Sequence, residues 1–287
     1  MAALPTPLPS HVPTHVILFY RYTPLSADRD VMTVYRELLR TLTSSLSFRG
    51  RILLGCSSNE GVNGTFSGSL LSLSLFAAVF GIELSLIKPS SSDDDVEALI
   101  TDALSENAVP NLNLAEKSLP VLLAPCVAFL RALQTFHSSP STSFPPFLIP
   151  YTEFKWSENT TVPQTEVFPD LYLKLVAEIV GSGGKLSNVT IDQTSEGYLT
   201  PQQFHAELTQ HKASLSAAAG SPSPSDTILI DCRNDKECKI GGFTNSINPK
   251  TKTFYEFPKW VDDNFGAGGI GGVLEGKKKV LMYCTGG

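Results

Sequence analysis

Apolar and polar positions change period several times along the chain, and each change marks an element. His15 to Tyr22 (HVILFYRY) is β-branched and aromatic and predicts a strand that Pro24 ends. Ser26 is placed to cap a helix with Asp28 and Asp30 in its first turn, where negative charge suits the dipole. Val31, Val34, Tyr35, Leu38, Leu39 and Leu42 recur at helical spacing, and Gly50 closes the element. Arg51 to Gly55 predicts a second strand and Val62 to Ser67 a third, with a polar turn between them. Leu70 to Phe80 predicts a buried helix, and the alternation of Ile82 to Ile87 a fourth strand.

That order, β-α-β-β-α-β, is the ferredoxin-like arrangement, so an α+β domain is expected over residues 15–190. Residues 1–14, rich in Ala, Pro, Leu, Ser and His and without Lys or Arg, read as a flexible tail rather than a targeting segment. The rhythm breaks from about 89 to 146, between a Ser/Asp run (Ser90 to Asp95) and a Ser/Pro run, with one helix expected over Val121 to Phe136. Such an excursion is either a regulatory insertion or a tolerated surface loop. Leu171 to Val180 predicts another strand, ended by Gly181-Ser182-Gly183-Gly184.

A second domain is expected over residues 198–287. Thr200-Pro201-Gln202-Gln203 has the form of a helix start: a Thr cap, Pro at the first position, Gln three residues on. Ser214 to Ser225 reads as a loop, Thr227 to Asp231 as a buried strand, and Trp260, Val261 and Phe265 as part of a helix. Val280 to Tyr283 is a further buried strand that runs straight into Cys284. Strands alternating with helices imply a parallel α/β sheet, whose ligands sit beyond the carboxyl ends of the strands. Asp231 and Cys284 both belong to that edge.

Composition adds exclusions. Over 287 residues, 42% hydrophobic and 17% charged positions suit two folded domains, and no stretch approaches about 20 uninterrupted apolar residues. A net charge of −6 argues against indiscriminate nucleic-acid binding, though not against a local basic patch. Five cysteines are an odd number without zinc spacing, so neither a disulfide framework nor a metal site is expected. A reducing, cytoplasmic setting without a membrane follows as an expectation.

Cys284-Thr285-Gly286-Gly287 follows a strand, where backbone N–H groups can converge on the sulfur and favour a thiolate. A buried structural cysteine accounts for the same position equally well. Asp231 and Arg233 are spaced for a charge-assisted pair, either supporting the loop or simply structural. Lys250, Lys252 and Lys259, interleaved with Phe254 and Tyr255, fit a nucleic-acid surface or a solvated lysine face. Lys277, Lys278 and Lys279 form a second basic cluster.

Taken together and in order, Glu60-Gly61-Val62-Asn63-Gly64-Thr65, Asp231-Cys232-Arg233-Asn234-Asp235-Lys236-Glu237 (the D-x-R-x-x-x-E form of a rhodanese opening), Asn248-Pro249-Lys250-Thr251, Glu256 to Val261 and Tyr283 to Gly287 resemble the tRNA uridine(34) hydroxylase family, which joins a ferredoxin-like domain to a rhodanese domain. The resemblance implies hydroxylation of wobble uridine to 5-hydroxyuridine on tRNA, with molecular oxygen as co-substrate. It implies Cys284 as the catalytic cysteine, supported by Asp231, Arg233, Thr285, Gly286 and Gly287. Glu60 and Asn63 would act as a turn, or as a contact to tRNA beside Lys250, Lys252 and Lys259. A sulfurtransferase carrying a Cys284 persulfide and a non-catalytic binding module are the rival readings. The family pattern continues past C-T-G-G with I-R-C and further elements, so this chain is expected to be inactive or a fragment, its rhodanese-type α/β domain incomplete.

Overall fold

The computed structural model describes residues 14–56, 60–107, 109, 112–139, 142, 148–159, 167–190, 197–218, 226–265 and 272–285. The tail expected over residues 1–14 lies outside these apart from Thr14, which opens the first strand. The chain divides into two compact units, Met1–Ile179 and Val180–Gly287.

The first unit is built on a five-stranded sheet. β1 (Thr14–Tyr22) leads to α1 (Arg29–Ser45), then β2 (Arg49–Gly55), β3 (Gly61–Gly68) and α2 (Leu70–Gly81). α3 (Asp93–Glu106) and α4 (Leu119–His137) precede β4 (Lys155–Asn159) and β5 (Leu171–Val176). The strand order is β4-β1-β3-β2-β5, with β3 antiparallel to both β1 and β2 and β4 antiparallel to β1. β1 and β2 are therefore parallel with β3 between them, and β3 and β4 are parallel with β1 between them: two interleaved split βαβ units, as the ferredoxin-like reading requires.

The fourth strand is not where the alternation of Ile82 to Ile87 put it. Leu84–Leu86 is a single 3₁₀ turn, and Ile82 and Ile87 are buried beside it. Both edges the segment could have joined are occupied, one by Lys155–Asn159 against β1 and the other by Leu171–Val176, parallel to β2. The short apolar run serves instead as a hydrophobic link from α2 to α3. α3 itself went unread because its Ser/Asp start resembles a loop. Ser92 and Asp95 form a reciprocal capping box there, and Asp93, Asp94 and Asp95 fill the first turn, where the dipole favours them.

Other boundaries shift for local reasons. The cap of α1 is Asp28, whose carboxylate accepts from the Asp30 and Val31 amides, while Ser26 Oγ accepts from the Asp28 amide. Val34 faces water, leaving Met32, Tyr35, Leu39 and Leu42 as the buried face. Gly50 lies within β2 rather than ending α1; its φ is 132°, and a Cβ there would stand 2.3 Å from the Thr65 carbonyl oxygen. β5 stops at Val176, because the Ile179 peptide is captured by side chains instead of the ladder.

The core between the sheet and its helices is aromatic. Phe48 stacks on Phe66 at 4.7 Å between centroids, and Phe66 meets Phe76 edge-on at 4.9 Å. α4 packs on α1, α2 and α3 through Leu123, Cys126, Val127, Phe129, Leu130 and Leu133. An 18-residue window within its 19 residues has a mean hydropathy of 1.6, apolar enough by length and composition alone to cross a membrane, a test that buried core helices also pass. Arg131 on this helix bonds Asp93, the Lys88 carbonyl and the Ser91 carbonyl, pinning it to the start of α3.

In the second unit, α5 (Pro201–Ala218) starts at the expected capping box, Thr200 and Gln203 exchanging backbone-to-side-chain bonds. It runs four residues past Ser214, where a loop was expected, and residues 219–225 of that loop lie outside the described residues. β6 (Thr227–Asp231), α6 (Asp235–Ile240), α7 (Phe257–Phe265) and β7 (Lys279–Tyr283) follow. β6 and β7 are parallel, and Ile247 bridges to the other side of β6. Ile228, Ile230, Cys232, Phe257 and Leu274 form the local core.

Gly61 offers a sharp test of the first unit. Its φ is 124°, and a Cβ would lie 2.0 Å from the Arg21 carbonyl oxygen, so backbone would have to move. Gly61→Ala should lower unfolding stability by at least about 2 kcal/mol. Gly81→Ala, in open space within α2, should be neutral or raise it by up to about 1 kcal/mol. Denaturant midpoints of the two variants measure the contrast.

Candidate active site

β6 ends on Asp231, a residue only 1% exposed. An isolated carboxylate there would be costly, and the surrounding side chains compensate it. Arg233 donates to it three times, from its amide at 3.1 Å, from Nε at 2.9 Å and from Nη2 at 2.7 Å. The Tyr283 hydroxyl donates at 2.7 Å from the end of β7. Burial by itself would raise the Asp231 pKa, but the bonds from Arg233 and Tyr283 prevail and hold it at about 2. The expected Asp231–Arg233 pair is thus present as a fork, and Arg233 Nη2 also donates to the Gly241 carbonyl.

Tyr283 organises the opposite side. Its oxygen accepts from the Phe243 amide at 3.1 Å and lies 3.1 Å from Ser246 Oγ, while the Arg233 guanidinium sits 5.5 Å from its ring centre. Burial, with the Asp231 carboxylate adding to it, raises the Tyr283 pKa and keeps the hydroxyl a donor.

Cys284 follows directly and is exposed, at the same strand edge as Asp231. Thr285 Oγ1 donates to Glu237 Oε1 at 2.6 Å. Glu237 is itself fixed at the N-terminus of α6, in a capping box with Asn234. The residues that follow the cysteine are therefore tied to α6 through Thr285. Gly286 and Gly287, expected to complete the cradle, lie outside the described residues.

The expected basic surface is partly neutralised. Lys259 Nζ lies 2.8 Å from both Asp263 oxygens, Lys278 bonds Asp226 and Lys279 bonds Glu207. Lys250 and Lys252 are exposed, and the Lys250 backbone adopts a φ of 60°, held by its amide on Asn248 Oδ1. Among the described residues, no cluster of three or more His, Cys, Asp or Glu could hold a metal ion.

Glu60 and Asn63 lie in the first unit and do not form the turn read from their sequence. Gly61 onward is strand β3, and Gly64 is required because a Cβ would lie 2.4 Å from the Phe19 ring. The Glu60 carboxylate accepts from the Ile179 amide at 2.7 Å, and Asn63 Nδ2 donates to the Ile179 carbonyl at 3.0 Å. Together they hold one backbone residue from both sides. Burial raises the Glu60 pKa and nearby Glu178 adds to that, against the opposing bond from Ile179.

A family model for the UPF0176 acylphosphatase-like domain matches residues 14–86, which hold β1, α1, β2, β3 and α2. The tRNA uridine(34) hydroxylase of Rhizobium leguminosarum is 37% identical over 135 residues, 47% of this chain and 35% of that protein. That of Agrobacterium fabrum is 38% identical over 120 residues, 42% of this chain and 31% of its own. That of Prochlorococcus marinus reaches 53% over 62 residues, 22% of this chain and 19% of its own. Over these stretches the chain is similar to tRNA uridine(34) hydroxylases. The matched stretches cover about a third or less of each of these relatives.

Ser246 has no place in the motifs read from sequence, and Tyr283 and Glu237 stand there only as motif members without a role, yet all three complete the edge. Asn234 and Glu237 carry a visible signal, the N-x-x-E spacing of a capping box. The bond from Tyr283 to Asp231 carried no signal, because the two are 52 residues apart and meet only through strand register.

The depressed Asp231 pKa fixes a pH dependence. The group titrates near 3.9 unfolded and at about 2 folded, so its stabilisation is complete above about pH 5 and is lost as pH falls through 4 towards 2. The loss should approach about 2 kcal/mol. Asp231→Asn should remove that acid limb. In a Trp156→Phe background Trp260 is the remaining tryptophan and reports the second unit, so its fluorescence during urea unfolding against pH measures the effect.

Proposed function

We propose that this chain acts in tRNA modification, as the part of a uridine hydroxylase that presents Cys284 to the wobble base. The observation that carries the reading is joint: similarity to tRNA uridine(34) hydroxylases occurs in a chain whose exposed cysteine stands at the carboxyl edge of two parallel strands. A ligand-facing cysteine at such an edge is the position that α/β sheets use for chemistry. In this proposal the second unit is a rhodanese-type domain.

The proposed reaction begins with the Cys284 thiolate adding to C6 of uridine. That opens the C5–C6 double bond and pushes electron density to C5, which takes one oxygen from a peroxide-level oxidant formed from molecular oxygen and a two-electron donor. The O–O bond breaks and the second oxygen leaves as water. Loss of the C5 proton then expels the Cys284 thiolate and restores the double bond. Asp231 and Arg233 act as positioning residues, since both are committed to each other and to Tyr283 and Gly241. Lys250 and Lys252 are the cations we assign to the tRNA backbone, with a smaller part for Lys259, already paired with Asp263. Glu60 and Asn63 hold Ile179 in place, so we assign them a structural role. A cytoplasmic location accompanies a tRNA substrate.

Mass spectrometry of nucleosides from cells with and without the gene should show 5-hydroxyuridine falling when the gene is absent. Restoring the gene should recover it, and restoring a Cys284→Ala version should not. Full recovery by Cys284→Ala would end the proposal. Persulfide transfer from thiosulfate to Cys284, with unchanged 5-hydroxyuridine, would establish the sulfurtransferase reading instead.

A further inference from the structure

Three of the five cysteines lie at the end of the second unit, and Cys284 alone accounts for the proposed chemistry. Cys232 follows β6 as Cys284 follows β7. Asp231 pairs with Tyr283, and the ladder continues one step further: the Cys232 amide donates to the Tyr283 carbonyl at 2.9 Å. In a parallel ladder that bond belongs to a residue opposite the one after the acceptor, which sets Cys232 opposite Cys284. Adjacent strands lie about 4.8 Å apart, inside the roughly 4.4–6.8 Å Cα separation that a disulfide spans. Alternation puts both side chains on one face, with Ile228, Ile230, Val280 and Met282. All five cysteines are free in this structure.

We propose that Cys232 is the resolving thiol for Cys284, closing a reversible disulfide across the β6–β7 edge when a peroxide oxidises Cys284. The two positions differ in the way such a pair requires. Cys284 is exposed and meets the oxidant first, whereas Cys232 is 8% exposed and shielded from it. Burial, with the neighbouring Cys284 adding to it, raises the Cys232 pKa to about 12, which keeps it a thiol and makes it the less reactive of the two towards peroxide. Cys238 is the alternative partner, but its thiol is directed to the Arg233 carbonyl at 3.6 Å.

The chemistry balances in two steps. The Cys284 thiolate attacks one peroxide oxygen, an S–O bond forms, the O–O bond breaks, and protonated hydroxide leaves as water. Cys232 sulfur then attacks the sulfenic sulfur, the S–S bond forms, the S–O bond breaks, and the Cys232 proton leaves with the hydroxyl as a second water. One peroxide is reduced to two waters and two thiols are oxidised. A bond between directly opposed strand residues is strained, which makes it easily reduced and suited to protection rather than to stability. The inference stands on strand register and is independent of the tRNA proposal.

The test treats the full chain with hydrogen peroxide and maps it under non-reducing conditions. The expected result is loss of two hydrogens and a linked pair of peptides containing Cys232 and Cys284, separated again by dithiothreitol. In Cys232→Ser, Cys284 should instead accumulate sulfinic and sulfonic acid, while Cys238→Ser should behave as the unaltered chain. A link from Cys284 to Cys238, or overoxidation of Cys284 in the unaltered chain without any Cys232 link, would overturn the assignment. The map of the unaltered chain decides the matter even where Cys232→Ser fails to fold.

Discussion

A carboxylate held almost wholly out of water, Asp231, sets the terms for the second unit. Its burial would cost several kcal/mol unpaired, and the donors that offset this come from separate parts of the chain: Arg233 just beyond β6 and Tyr283 at the end of β7. Each donor is engaged again on its far side, Arg233 with the Gly241 carbonyl and Tyr283 with Phe243 and Ser246. One charge therefore fixes the end of both strands and the loop from Gly241 to Ser246. The direction in which the chain leaves Tyr283 towards Cys284 is a consequence of that network.

The first unit meets a different constraint, the close approach of backbone to backbone and ring at β3. Gly61 and Gly64 leave no room for a side chain against Arg21 and Phe19, so β1 and β3 can pair at this distance only with glycine. The polar residues of the same segment then work outward. Glu60 and Asn63 take the two peptide groups of Ile179, which lies just beyond β5 and has no ladder partner there. A run that reads as a turn by its Gly and Asn content is a strand whose glycines face the core and whose polar residues end another element.

Much of the architecture was legible because it is local. The helical period of Tyr35, Leu39 and Leu42, the Thr200–Gln203 box and the two apolar strands around Asp231 and Tyr283 each carry their own signal. Two of the failures were decided at a distance and one by local ambiguity. Ile82 to Ile87 alternates like a strand, but Lys155–Asn159 holds the sheet edge it would need. α3 begins with three aspartates that suit a solvated loop, and only the Ser92–Asp95 bonds show them to be a helix start. The Asp231–Arg233 pair was readable from spacing within one segment, whereas Tyr283 needed the register between two.

The same register bears on how Cys284 is surrounded. The neighbouring cation, Arg233, lies in a fork with Asp231 and is directed to the Gly241 carbonyl, so it is not a free clamp for an anion on the cysteine. Glu237, reached through Thr285, is acidic. The side chains named at this edge thus leave no unpaired cation facing Cys284. A cysteine so placed is open to solvent oxidants as well as to substrate. The strand that positions it also sets Cys232 opposite, which is why reactivity and its protection can arise from a single ladder step.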